Sequence, residues 1–164
     1  MKKLFLTMVA IALLMVGCQD APQQTSHIIP TPTPERAAGQ TDVLQLTTEK
    51  LPVVRVGFIG LGMRGPGAVE RMLHIPGVEV VALCDIEKDR VQNVNKRLEA
   101  AGRPKAQEFY GDTTIWRELS KMEGIDLIYI ATNWQTHAMM GVQAMKDGKH
   151  VAIEVPSAMT MDEI

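Results

Sequence analysis

Residues 54–65 read Val-Arg-Val-Gly-Phe-Ile-Gly-Leu-Gly-Met-Arg-Gly, an apolar β-type run that empties into Gly60-x-Gly62-x-x-Gly65. Asp85 follows twenty positions after the last glycine, at the end of a second apolar run. Each part has a physical task in holding a dinucleotide. Gly60 permits a tight turn, Gly62 lets the backbone approach a pyrophosphate, and Gly65 lets the following helix pack closely on the strand. The helix N-terminus offers free N–H groups and the positive end of its dipole to phosphates. A carboxylate at the tip of the second strand accepts hydrogen bonds from the adenosine ribose, which suits the free 2′-hydroxyl of NAD and repels the 2′-phosphate of NADP. A glycine-rich turn without a ligand is the plainer reading of the bare triplet; the strand, helix and acid around it favour the nucleotide.

The rest of the chain repeats the same alternation. Strands are expected at Val54–Ile59, Val78–Cys84, around Phe109 and Tyr110, at Asp126–Ala131 and at His150–Val155. Helices are expected from Pro66 to Leu73, from about Glu87 to Ala101 and from Thr136 to Asp147. A further helix, capped by Asp112 or Thr113, carries Ile115, Trp116 and Leu119. Repeated β–α units of this length imply an α/β fold with a doubly wound parallel sheet, covered on both faces and crossed right-handedly. Ligands in such sheets sit beyond the carboxyl ends of the strands. That rule selects residues 60–65, 85, 132–137 and 154–156.

The ends of the chain carry other information. Lys2 and Lys3 precede an apolar stretch, Leu4 to Val16, too short for an ordinary transmembrane helix. It closes at Leu14-Met15-Val16-Gly17-Cys18, which resembles the lipobox of bacterial lipoproteins. The resemblance implies cleavage after residue 17, lipidation of Cys18 and a lipid-anchored place in a bacterial cell envelope, on the periplasmic or outer-membrane face. An ordinary signal peptide with an incidental cysteine is the alternative. Residues 18–51, with Pro30-Thr31-Pro32-Thr33-Pro34, read as a flexible proline-rich linker. Val43, Leu44 and Leu46 receive no firm assignment within it. Residues 52–164 form the expected globular domain. Thr160-Met161-Asp162-Glu163 reads as a capping box opening a helix, from which we expect the sequence to be a truncated piece with a downstream region missing.

Without residues 1–17, which hold two lysines and no acids, 15 basic residues stand against 19 acidic ones, net −4. No basic stripe exists, which argues against nucleic acid as a partner. Cys84 is the one remaining cysteine and reads as a small core residue. No Cys/His cluster suggests a metal.

Val54–Gly65, Ala82–Asp85, Ile130-Ala-Thr-Asn-Trp-Gln-Thr-His137 and Glu154-Val-Pro156 together resemble the N-terminal domain of the glucose–fructose oxidoreductase and inositol dehydrogenase superfamily. Within it the chain is similar to glycoside hydrolase family 109, the NAD-dependent α-N-acetylgalactosaminidases. The resemblance covers residues 52–164. It implies NAD contacts at Met63, Arg64, Asp85, Trp134, Gln135, Thr136, His137, Glu154 and Val155. Plainer readings stand beside several of these: Arg64 as a solvent-facing charge, Trp134 as core, His137 as a capping-turn histidine, Glu154 as a strand-end acid. Relatives usually carry lysine in the middle of Glu-x-Pro, close to the reacting alcohol. Val155 has no proton to exchange, which counts against the usual dehydrogenase route and fits the glycosidase branch.

The chemistry the resemblance implies is redox-neutral: hydride leaves C3 of a terminal N-acetylgalactosamine for NAD, the C2 proton and anomeric substituent are eliminated, water adds, and the hydride returns. The proton-transfer groups are expected in the C-terminal domain, so no catalytic residue is assigned in these 164 residues. Two other readings stay open, an exported NAD-dependent sugar oxidoreductase and a non-catalytic NAD-binding protein. The glycan and the oligomeric state are left open.

Overall fold

The structure, a computed structural model, describes Ala38, Gly39, Leu44 and residues 46–164. The signal segment, Cys18 and most of the expected linker lie outside the described residues. The chain divides into two units, Met1–Thr47 and Thr48–Ile164. The second holds every strand and helix considered below.

Five strands, β1 (Val54–Ile59), β2 (Val78–Cys84), β3 (Gln107–Phe109), β4 (Leu127–Ile130) and β5 (His150–Ile153), form one sheet in the order β3-β2-β1-β4-β5. Every neighbouring pair is parallel. Four helices link them: α1 (Gly65–Met72), α2 (Lys88–Ala100), α3 (Trp116–Lys121) and α4 (Trp134–Lys146). Parallel strands need such crossovers, and the crossovers bury both faces of the sheet. Two separate cores result. Val56, Phe58, Leu83, Val91, Val94 and Leu98 pack beneath α1 and α2. Ile59, Ile128, Ile130, Trp116, Leu119 and Met140 pack beneath α3 and α4. The sheet is therefore doubly wound, as the alternation predicts. Each fully buried aliphatic or aromatic side chain contributes ~1.5–3 kcal/mol to this arrangement.

Gly57 fits the second core because it lacks a side chain: a Cβ there would lie 3.0 Å from both Leu119 Cδ2 and Ile125 Cδ1. The β1–β2 ladder carries one irregularity. Val56 pairs with Val80 but Gly57 pairs with Ala82, so Val81 is an extra residue in β2. Val80 faces the α1/α2 core, whereas Val81 and Ala82 both face the α3/α4 core.

Several boundaries differ from expectation for local reasons. The third strand ends at Phe109 and leaves Tyr110 outside it. The third helix starts at Trp116 because the Asp112 carboxylate accepts hydrogen bonds from Thr114 N and Oγ1, both at 2.6 Å. That turn occupies the residues expected to cap the helix. The fourth helix begins at Trp134, two residues early, with Asn133 extended before it. The capping box at Thr160 is present, but it opens only a 3₁₀ turn, Met161–Glu163.

Candidate functional site

Beyond the carboxyl ends of the strands lies one cleft of about 690 Å³. Gly60, Gly62, Met63, Arg64, Asp85, Trp134, Thr136, His137, Glu154 and Val155 all line it. Ten of the twelve expected cofactor-binding residues thus converge, although they come from four separate strand tips. Gly65 and Gln135 are not in the lining: Gly65 is buried under the loop, and Gln135 is exposed on α4.

The three glycines have different causes. Gly60 has φ +93°, and a Cβ there would lie 2.6 Å from the Ala131 carbonyl oxygen at the end of β4. A Cβ on Gly65 would lie 2.0 Å from the Gly60 carbonyl oxygen. Both are demanded by the fold itself. Gly62 is not: the nearest atom to a Cβ there is Arg90 Nη1 at 3.8 Å, and its φ is not in the left-handed region. The space a Cβ would fill opens on the cleft, which is the property a backbone needs where a pyrophosphate is to approach. No side chain caps the first turn of α1, and no acid sits in it. Its N–H groups and dipole end therefore face the same space, ready for an anion. The residues present fit an NAD pyrophosphate.

Asp85 is nearly enclosed. Its Oδ2 accepts a hydrogen bond from Leu61 N at 2.7 Å and its Oδ1 from Glu87 N at 2.9 Å. Arg90 Nη1 lies 3.3 Å from Oδ1. The carboxylate thus ties the tip of β2 to the glycine loop and starts α2 with a two-residue turn, in addition to bordering the cleft.

On the other side, His137 is 1% exposed. Its Nδ1 lies 2.8 Å from the Pro156 carbonyl oxygen and its Nε2 3.2 Å from that of Thr132. Both neighbours are acceptors, so each contact needs an N–H on the ring nitrogen that makes it. His137 therefore links the loop after β4 to the loop after β5, from beneath the cleft. Thr136 Oγ1, 2.8 Å from Thr132 Oγ1, supports the same loop. Glu154 Oε1 accepts from Tyr129 Oη at 2.7 Å. Burial and then this bond push the Tyr129 phenol up from its ordinary range, while Arg71 opposes them. Tyr129 stacks on Phe58 with ring centroids 5.1 Å apart, so the hydroxyl that holds Glu154 is itself held by the core. Val155 is 81% exposed at the rim. Trp134 is exposed there as well and is not a core residue.

Cys84 also borders the cleft but is buried. Burial, then the Asp85 and Asp112 charges, raise its thiol to about 12. It is inert packing, not a nucleophile. Among the described residues no group of His, Cys, Asp and Glu is placed to hold a metal ion.

Sequence reasoning missed Arg90, Asp112, Thr113 and Trp116, all in the lining. The strand-tip rule, applied also to the third strand, points to Asp112 and Thr113. Arg90 lies in the first turn of α2, on the side that faces back toward Asp85; helical spacing alone carries that signal.

Comparison with known proteins agrees with this geometry. Residues 54–164 match the model of an oxidoreductase family with an NAD-binding Rossmann fold. Glycosyl hydrolase family 109 protein 1 of Bacteroides thetaiotaomicron is 56% identical over 167 aligned positions, covering all of this chain and 36% of that protein. A family 109 protein of Porphyromonas gingivalis is 57% identical over 132 positions, covering 80% of this chain and 28% of that protein. The chain thus spans about a third of the length of the curated relatives it matches. Among solved structures, the myo-inositol dehydrogenase of Lactobacillus casei in complex with NAD(H) and myo-inositol superposes with TM-score 0.58 at 26% identity, over 68% of this chain and 31% of that one. The chain belongs to the oxidoreductase family with an NAD-binding Rossmann fold, where it sits with the glycosyl hydrolase family 109 proteins.

Proposed function

We propose that this domain serves a glycosidase that removes terminal α-N-acetylgalactosamine from glycans, exported and lipidated at Cys18 to stand at a bacterial envelope. NAD, when bound, supplies a hydride acceptor that later gives the hydride back, so the hydrolysis has no net redox change. The residues of this chain hold and orient. The α1 N-terminus and Gly62 backbone receive the pyrophosphate, and the Asp85 region receives the adenosine ribose. His137 fixes the two loops that carry Trp134 and Val155. Glu154, held by Tyr129, gives a fixed carboxylate beside them.

The observation that carries the glycosidase reading over simple dehydrogenation is Val155. It stands exposed at the cleft rim with no proton and no charge to offer a sugar hydroxyl. The identity to family 109 proteins supports the same choice. The second reading, an exported sugar oxidoreductase, is favoured only by the dehydrogenase-like fold.

The test is a chimera in which residues 52–164 replace the matching segment of the Bacteroides thetaiotaomicron relative. It is incubated with a chromogenic α-N-acetylgalactosaminide while absorbance at 340 nm is followed. Release of the leaving group without net NADH is the expected result. Net NADH formation selects the oxidoreductase instead, and a folded, NAD-loaded chimera that does neither overturns both.

A further inference from the structure

The strand Leu127–Ile130 carries one polar side-chain atom, the Tyr129 hydroxyl. Tyr129 belongs to the α1/α2 layer, stacked on Phe58, and does not line the cleft. It pairs with Ala152 across the β4–β5 ladder. The ladder continues past the end of β5, where the Glu154 N–H donates to the Ile130 carbonyl at 2.9 Å. Side chains alternate along a strand, so Glu154, two positions beyond Ala152, points to the Tyr129 side. There its Oε1 accepts from the Tyr129 hydroxyl at 2.7 Å, and among the described residues its Oε2 has no hydrogen-bond partner. Glu154 is thus fixed at its backbone and at one carboxylate oxygen, and unlike Tyr129 it lines the cleft. A phenylalanine would stack on Phe58 in the same way, so packing alone does not require the hydroxyl.

With the ribose at Asp85 and the pyrophosphate at α1, the β4 and β5 tips are left to the nicotinamide half of a dinucleotide. A glutamate with free torsions there would have to be ordered by the ligand, at a cost in binding. One whose Oε1 is already engaged offers Oε2 in a set direction, as an acceptor for an N–H or O–H. We propose that Tyr129 is a positioning residue: by holding Oε1 it presents Oε2 of Glu154 to the nicotinamide half of the bound cofactor. This rests on the cleft being the dinucleotide site, and it adds to that site a residue outside the lining.

NADH is titrated into the full chain as wild type, Tyr129→Phe, Glu154→Ala and the double variant, with the emission of the bound nicotinamide and thermal unfolding recorded for each. Tyr129→Phe keeps the ring on Phe58 and should unfold near the wild-type temperature. It should weaken NADH about three- to tenfold, the worth of one hydrogen bond, and move the emission toward that of free NADH. In the Glu154→Ala background the same change should alter affinity by less than about twofold, because the hydroxyl then has no carboxylate to orient. A purely structural hydroxyl would act equally in both backgrounds. The proposal is overturned if Tyr129→Phe leaves affinity and emission unchanged, or weakens NADH equally with and without Glu154. Glu154→Gln tests it with Tyr129 intact: the hydroxyl keeps an acceptor, an amide nitrogen replaces Oε2, and NADH should weaken as it does in Glu154→Ala. Unchanged binding in Glu154→Gln overturns the proposal independently. A wild type that binds no NADH removes the cofactor site and the proposal together, a result distinct from these.

Discussion

Asp85 Oδ2 receives the backbone N–H of Leu61 at 2.7 Å, across twenty-four residues of chain. One side chain thus closes the glycine loop onto the second strand before any ligand arrives. Asp85→Asn cannot accept at both ends, because its amide nitrogen must face a backbone N–H. A loss of about 1–3 kcal/mol is expected in urea unfolding, with weaker NAD binding in calorimetry. Unchanged stability would show that the loop does not depend on this contact.

The glycines separate fold from ligand. Gly65→Ala drives a methyl into the Gly60 carbonyl and should cost at least about 2 kcal/mol of stability. Gly62→Ala meets nothing closer than 3.8 Å and should leave the melting temperature nearly unchanged while weakening NAD at least about tenfold. Calorimetry and thermal unfolding on the same two proteins decide the matter.

His137→Ala removes the only side-chain link between the Thr132 and Pro156 carbonyls among the described residues. About 1–3 kcal/mol of stability should be lost. Hydrogen exchange should speed up at residues 155–159 and at the start of α4, while the β1 amides stay protected. Uniform acceleration across the sheet would deny the histidine its local role.

Cys84 makes stability depend on alkaline pH. Its thiol keeps its proton to about 12 when folded but loses it near 9.0 when unfolded. The contribution is whole below about 9 and is lost as pH rises from there toward 12, by at most ~1.4 kcal/mol per unit. Cys84→Ala should flatten that decline in unfolding measured between pH 8 and 10.5. Cys84 in the native protein should resist alkylation until denaturant is added.

Much of this was legible in the chain because the signals are local. The run Val54–Ile59 followed by Gly60 announces a buried strand and its turn, and β1 has those bounds. Gly102 and Gly148, both with positive φ, stop α2 and α4 near where the periodicity ends. The errors fall where side chains rewire short segments. The Asp112–Thr114 turn delays α3, and the extended Asn133 lets α4 start at Trp134. Within the site, Gly60, Asp85 and Val155 could be placed from their positions at strand tips. The enclosure of Asp85 was legible only in part: Glu87 N, two residues on, and Arg90, in the first turn of α2, are local partners, whereas Leu61 meets it only in three dimensions. His137 looked like a ligand contact from its motif, and its two carbonyl neighbours become visible only once the β4 and β5 tips lie side by side.

The extra residue at Val81 has an effect at a distance of four positions. Side chains alternate sides along a strand, so one added step exchanges the sides for everything downstream. Leu83 returns to the α1/α2 layer, and residue 85 follows it there, toward Leu61. Deleting Val81 would send the aspartate to the opposite layer, among Trp116 and Ile130 and away from the Leu61 N–H that it now holds. The reading head for the nucleotide is therefore aimed by a kink in the strand beneath it, and a repair of that kink would blind it.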